Sequence, residues 1–280
     1  MYRMSFGAIL TAAFALGGTI SANAGAESAR MLVPHRAVYN LKLKEASERS
    51  GIEGMYGRMV YEFTGSACTG FTTNFRFVTK ISTGEETRMT DQQTTTFENA
   101  LAREFRFETK SFTDEQLDKE VRGEAVAGES GVKVEISQPE QRQVDLATSD
   151  FPTEHMLDVI ENAKKGNRFF ESRIFDGSEN GDQSLMTTTV VGKEQAPAPG
   201  DADADKAGEF SKTPYWPVTI SYFNEGTNGD ATPVYSMSFK LYGNGITRDL
   251  TMDYGDFVLT GSLEKLEMLD KGPENCSEPR

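Results

Sequence analysis

Alternation of apolar and polar side chains is the feature that most restricts the fold of this chain. From Thr73 to Ile81, every second side chain is phenylalanine, isoleucine or threonine, and asparagine, arginine and lysine occupy three of the positions between them. The same period of two recurs at 101–108, 132–136 and 257–263. Because successive side chains of a strand point to opposite faces, the pattern predicts antiparallel strands with one face in water. We expect an all-β sheet, as an antiparallel β-spiral, an open barrel or a sandwich.

Three Asn-Gly pairs mark predicted turns between these strands. They lie at 180–181, 228–229 and 244–245. Asn-Gly is favoured in tight hairpins because both residues tolerate a positive φ. The third pair separates two strand-like segments, 235–242 and 246–252.

One segment has the period of a helix instead. It begins at Phe151-Pro152-Thr153-Glu154, with proline in the first turn and an acid near the positive end of the dipole. It ends at Lys164-Lys165-Gly166. Met156, Leu157, Ile160 and Ala163 fall on one face, so we expect one main helix that covers an opening of the sheet.

The segment from about 195 to 209 consists mainly of alanine, proline and aspartate. It has no apolar period and too little to bury, so we expect a mobile acidic loop inserted between strands. We expect residues 25–280 to form a single β domain that contains this loop.

The first 24 residues are typical of a cleaved signal peptide. Arg3 precedes an apolar run from Phe6 to Leu16, and Ala22-Asn23-Ala24 is a small-x-small cleavage site. A membrane anchor is the alternative, but the run is short for a bilayer and Gly17-Gly18 interrupts it. We expect cleavage after Ala24 and a soluble protein of the bacterial periplasm that does not span the membrane.

The chain is strongly acidic, with a formal net charge of −14 at pH 7. Cleavage after Ala24 would remove the charge of Arg3 and leave the mature chain one unit more negative. Such a balance repels phosphate backbones and anionic lipid surfaces, so we expect no nucleic-acid partner.

The chain has two cysteines, Cys68 and Cys276. In an oxidising compartment they have only one intramolecular pairing, and we expect that disulfide. Two free thiols or an intermolecular bridge are the alternatives. Closure of so long a loop restricts the denatured chain by up to about 5 kcal/mol.

Candidate catalytic and metal-binding groups are few. The only histidines are His35 and His155, and the chain has no Gly-x-Ser-x-Gly or His-Glu-x-x-His sequence. The acidic stretch 176–182 approximates a calcium loop only loosely, and a polar hairpin loop is the simpler interpretation. We therefore expect no catalytic residues, no metal, no cofactor and no enzyme activity.

Several short stretches, taken in order, resemble a known family. They are His35-Arg36-Ala37-Val38-Tyr39, Phe151-Pro152-Thr153-Glu154-His155, Ile174-Phe175-Asp176-Gly177-Ser178, Trp216-Pro217-Val218, Leu241-Tyr242-Gly243-Asn244-Gly245, Asp253-Tyr254-Gly255-Asp256-Phe257 and Cys276. Together with the cysteine pair, they resemble the EipB-type periplasmic cell-envelope integrity proteins of alphaproteobacteria. The resemblance implies a monomeric spiral or broken-barrel β fold with a disulfide at Cys68 and Cys276. It also implies a role in envelope integrity under stress, a periplasmic tetratricopeptide-repeat partner, and a shape similar to lipid and lipoprotein carriers.

Three functions follow as hypotheses. The first is a non-enzymatic envelope protein that acts through protein partners. The second is a carrier of a lipid, an acyl chain or a lipoprotein, in which Phe75, Phe77, Phe105 and Phe107 line a concave sheet; in the simpler alternative these rings fill an ordinary core. The third, an envelope hydrolase, lacks a catalytic constellation in the sequence.

Overall fold

The computed structural model describes residues 31–225 and 232–272, which contain fourteen strands in one sheet. The first eight are β1 (His35–Ala46), β2 (Ile52–Ser66), β3 (Gly70–Thr83), β4 (Thr87–Asn99), β5 (Glu104–Thr113), β6 (Gln116–Gly128), β7 (Gly131–Gln138) and β8 (Arg142–Leu146). The last six are β9 (Phe169–Ile174), β10 (Leu185–Val191), β11 (Trp216–Asn224), β12 (Tyr235–Leu241), β13 (Thr247–Asp253) and β14 (Phe257–Met268). The helices are α1 (Pro152–Lys165) and the short α2 (Ala202–Lys206), with single 3-10 turns at Glu48–Ser50 and Gly208–Phe210.

Every pair of neighbouring strands is antiparallel, and the spatial order is β8-β7-β6-β5-β4-β3-β2-β1-β14-β13-β12-β11-β10-β9. Two meanders therefore meet where the first strand pairs with the last, with His35 opposite Met268. The predicted all-β antiparallel open sheet is confirmed.

The two edge strands, β8 and β9, are consecutive in the chain, and α1 connects them. Just before α1, the Asp150 backbone N–H donates to the Arg173 carbonyl at 2.8 Å, and its carbonyl accepts from the Phe175 N–H at 2.9 Å. The chain that enters α1 is thus attached to edge strand β9. The predicted helix is confirmed, with Leu157, Ile160 and Ala163 buried on its inner face.

Two apolar clusters lie on the inner side of the sheet. The larger one contains Tyr39, Leu41 and Leu250 from the sheet together with Val159 and Ile160 of α1. The smaller one is built on β5, β6 and β7 and is centred on aromatic rings. One strand prediction was too long, because β5 begins only at Glu104, and Leu101 is exposed in the preceding turn.

The segment around 195–209 differs from its prediction. It contains α2, whose Ala204 is buried, and the following Ala207 is buried as well. The expectation that this segment has too little to bury was wrong, because its small side chains fit against the sheet and its acids find partners. Its mobility stays a prediction.

Aspartates attach α2 to the sheet. Asp201 accepts two hydrogen bonds from Nη1 of the buried Arg248, at 2.9 and 3.0 Å. Asp203 accepts from the backbone N–H groups of Asp249 at 3.0 Å and Leu263 at 2.9 Å. These two residues belong to the neighbouring strands β13 and β14 and lie just beyond the residues that pair between them. Composition identified the segment as polar but did not reveal these sheet partners.

The predicted Asn-Gly turns have different outcomes. Asn244-Gly245 lies in the connection between β12 and β13, so the predicted hairpin is confirmed. Only the glycine has a positive φ, of 87°, and the connection is longer than a two-residue turn. Asn180-Gly181 lies instead in a longer loop between β9 and β10, where the Gly181 N–H donates to the Ser178 carbonyl. The pair at 228–229 lies outside the described residues.

The predicted signal peptide, residues 1–24, and Cys276 also lie outside the described residues. Cys68 is in the turn between β2 and β3. Within 31–225 and 232–272, no helix is both long and apolar enough to cross a membrane.

Candidate ligand cavity inside the sheet

A cavity of about 380 Å³ lies on the inner face of the sheet, bounded by β1–β3, β11–β13 and α1. Its volume falls in the range of small-molecule sites, about 300–1,000 Å³. Most of its lining is apolar, including Met59, Phe63, Phe75, Ile220, Met237 and Phe239. These side chains reach the cavity because they occupy alternate positions of their strands.

Helix α1 forms one wall of the cavity through Pro152, Met156 and Val159. Its first turn is fixed by Glu98 of β4, whose side chain accepts from the backbone N–H groups of Thr153 at 2.7 Å and Glu154 at 3.0 Å. A carboxylate at this end of a helix satisfies two donors that have no partner within the helix.

Glu98 is only 2% exposed. Burial raises the pKa of its carboxyl from 4.5 to about 7, because loss of hydration outweighs the two backbone hydrogen bonds that favour the charged form. Glu98 was not predicted from the sequence. The signal that identifies it is its place in β4, where it continues the inward row of Thr94 and Thr96.

Both histidines of the chain line this cavity, although they lie 120 positions apart in the sequence. His35 packs against the ring of Tyr61, with ring centroids 5.7 Å apart, and its Nδ1 lies 2.8 Å from the Val33 carbonyl oxygen. His155 Nε2 lies 3.5 Å from Thr187 Oγ1. Burial lowers the pKa of His35, and that of His155 to about 4, so both rings are neutral at neutral pH.

Tyrosine hydroxyls supply further polar groups in the lining. The Tyr39 hydroxyl donates to the Thr247 carbonyl at 2.6 Å. Burial raises the pKa of Tyr39, Tyr61 and Tyr222, so all three hydroxyls keep their protons. These groups therefore offer uncharged hydrogen-bonding atoms at neutral pH.

Among the residues that the structure describes, Asp176 is the one carboxylate in the lining. Its Oδ1 accepts from the Ser178 backbone N–H at 2.9 Å. Other acids of the stretch 176–182 pair with cations elsewhere, because Asp182 lies 2.9 Å from Arg142 and Glu179 lies 3.9 Å from Lys119. The part of the chain that the structure describes contains no cluster of three or more groups arranged to bind a metal ion.

Comparison with known proteins places this architecture in a family. The family model described as EipB-like matches residues 26–270. The chain belongs to the EipB-like family. It is 51% identical over 276 residues to the cell envelope integrity protein EipB of Brucella abortus (strain 2308), an alignment that covers 95% of this chain and 98% of the relative.

A solved structure shares the fold. It is the crystal structure of a beta-barrel-like protein of the domain of unknown function DUF1849 from Brucella abortus, 52% identical, with a TM-score of 0.83. The match covers 85% of this chain and 99% of that chain. The family predicted from the sequence is therefore confirmed.

The predicted aromatic surface of this EipB-like protein divides into two places. Phe75 lines the cavity and stacks on Phe77 with ring centroids 6.1 Å apart. Phe105 and Phe107 do not line it, because they are 0% and 3% exposed in the smaller apolar cluster, where Phe105 stacks on Phe151 at 5.1 Å. Phe105 fills a core, so its assignment to a carrier surface was wrong. Phe107 belongs to the same core and also borders a second cavity, which is lined mainly by charged and polar residues.

Proposed function

We propose that this EipB-like protein supports the integrity of the bacterial cell envelope under stress, without catalysing a reaction. The observation that carries the proposal is the family match over residues 26–270, together with a relative named a cell envelope integrity protein that aligns over almost its full length. Deletion of the gene in its host is expected to increase killing by detergent, and expression of the wild-type chain is expected to reverse it. Unchanged survival would contradict the proposal.

The chemistry of the cavity supports a function other than catalysis. A general base works best with a pKa near the operating pH, and burial has moved the pKa of His155 down to about 4. Its polar neighbour is the Thr187 hydroxyl at 3.5 Å, and no carboxylate orients the ring through a hydrogen bond within the described residues. His155→Gln is expected to leave envelope protection in place. Hydrolysis of an envelope substrate by the wild type that is lost in this variant would instead indicate an enzyme.

Export and the disulfide belong to the same proposal. Residues 25–280 would enter the periplasm as one domain, with Cys68 and Cys276 joined. The support is the position of Gly272, where an added side-chain carbon would lie 3.1 Å from Ser66 Cβ, two residues before Cys68. Because Cys276 lies only four positions after Gly272, the chain can reach Cys68 within its extended span. Mass analysis without reduction, in which neither cysteine reacts with an alkylating reagent, tests this bridge.

Action through a protein partner is the remaining part of the leading proposal. The partner expected from the resemblance is a periplasmic tetratricopeptide-repeat protein, and the chain itself would be a monomer. Crosslinking in intact cells followed by purification of this chain tests both points. A recurrent crosslinked repeat protein is the expected product, and crosslinks only between copies of this chain would contradict the proposal.

A second function, the binding of a lipid or acyl chain, is favoured by the cavity. The cavity has a volume of about 380 Å³, and its methionine and phenylalanine side chains provide the apolar surroundings that a hydrocarbon chain needs. Uptake of a neutral fluorescent lipid, reversed by unlabelled lipid, tests this function. Protein purified without detergent that is lipid-free and takes up no probe would exclude it.

A further inference from the structure

The charges in the cavity restrict what it can bind. The lining within the described residues contains no lysine and no arginine, and Asp176 is its single carboxylate. Both lining histidines are neutral, since burial lowers their pKa values. A negative group on a bound ligand would therefore find no cation in the lining.

A carboxylate or phosphate head would be disfavoured twice in this cavity. It would lose hydration, and a buried ion without a partner of opposite charge is strongly disfavoured. It would also approach the negative charge of Asp176, and repulsion between like charges is stronger in a poorly hydrated site than in water. An uncharged head avoids both penalties.

The polar atoms of the lining suit an uncharged head that contains hydroxyl and ester groups. The carboxylate of Asp176 can accept a hydrogen bond from a hydroxyl group of the ligand. Tyr222 also lines the cavity. Burial, and to a lesser extent the charge of Asp176, raises the pKa of Tyr222, so its hydroxyl is protonated and can donate to a carbonyl. Apolar residues such as Met237 and Phe239 would surround the chain.

We propose that the cavity binds uncharged amphiphiles of the acylglycerol type and discriminates against acyl chains that carry a carboxylate. This inference deepens the second function above, on which it rests. It assigns to Asp176 the role of selecting the charge of the head group.

The test compares ligands that share one acyl chain. Monolaurin and laurate are each titrated into a complex of the full mature protein with Nile red, a neutral fluorescent probe, at neutral pH and below their critical micelle concentrations. Loss of Nile red fluorescence gives the affinity of each ligand. Monolaurin is expected to bind at least about tenfold more tightly than laurate, a difference of about 1.4 kcal/mol. Asp176→Asn keeps an oxygen that can accept from the Ser178 N–H and removes the charge, so it is expected to narrow this ratio severalfold.

The control is Asp182→Asn, which removes the same charge from the same loop. Asp182 pairs with Arg142 and does not line the cavity, so the monolaurin-to-laurate ratio is expected to stay at its wild-type value. Circular dichroism and melting of each variant show that it is folded.

Three results would overturn the inference, and they are distinguishable. Equal affinity for monolaurin and laurate would refute the charge selection while leaving lipid binding in place. A ratio that changes equally in both aspartate variants would remove the role of Asp176. Failure of the wild-type protein to bind Nile red or either ligand would exclude lipid binding itself, and the inference with it.

Discussion

Glu98 sets two physical effects against each other, so its replacement by glutamine makes a sharp prediction. Burial disfavours its negative charge, while two N–H groups at the start of α1 favour that charge. The balance lies with burial, because the pKa rises from 4.5 to about 7. The folded protein therefore holds a proton on Glu98 over a pH range in which the unfolded chain has released it.

The sign and size of the effect follow from that difference. Between about pH 4.5 and 7 the unfolded state binds fewer protons than the folded state, so the contribution of Glu98 to stability falls as the pH rises. It is fully present below the unfolded value and lost above about 7. At about 1.4 kcal/mol for each pH unit, the total is about 3 kcal/mol. Glu98→Gln cannot ionise, so its stability relative to the wild type is expected to rise by about 3 kcal/mol across this range.

The assay is urea unfolding of both proteins at several pH values. The comparison must be a difference, because the lowered pKa of His155 makes stability fall towards acid, opposite in sign to Glu98. Asp158 of α1, with a pKa raised to about 6, acts in the same direction as Glu98, and both proteins retain these two groups. Glu161→Gln on the exposed side of α1 serves as a control for the loss of one acidic charge.

A stability difference that stays constant across this range would refute the reasoning on Glu98. A difference that moves in favour of the wild type as the pH rises would show that the helix N-terminus, not burial, dominates the ionisation of this carboxyl.

Three further predictions concern stability. Arg248→Met leaves Asp201 without its buried guanidinium partner and is expected to lower the free energy of unfolding by about 3–5 kcal/mol. The double variant Asp201→Asn/Arg248→Met is expected to recover part of that loss. If urea unfolding finds Arg248→Met as stable as the wild type, the pair does not hold α2 against the sheet. Phe105→Ala empties the centre of the smaller aromatic cluster and is expected to cost about 3–5 kcal/mol by the same measurement, so a loss below about 1 kcal/mol would argue against a packed core there. Cys68→Ala is expected to lower the melting temperature as much as reductant lowers that of the wild type, and reductant should have no further effect on the variant; equal melting of all samples would reject the disulfide with Cys276.

The sheet and its main helix could be predicted because local patterns determine both. Alternation over 73–81 reports which face of a strand is buried, and the residues around Pro152 and Gly166 mark the start and end of α1. The pairing of β1 with β14 could not be predicted in this way, because it joins positions more than two hundred residues apart and no local signal encodes it.

The cavity was only partly predictable for the same reason. Phe75 was expected in a concave surface, but an inward-facing phenylalanine has the same sequence signal whether it lines a cavity or fills a core. Phe105 and Phe107 fill a core because Phe151 and Phe175 arrive from distant parts of the chain. Glu98 and Asp201 were missed because an acid buried by a distant partner looks in sequence like any solvated acid.

Native mass spectrometry of the protein, released gently from its host cells and kept free of detergent and organic solvent, tests the ligand cavity most directly. The expected spectrum contains the unliganded chain together with a population carrying one uncharged lipid, and this lipid should compete with Nile red for binding. A spectrum of unliganded chain alone, from protein that also binds neither monolaurin nor Nile red, would contradict the account.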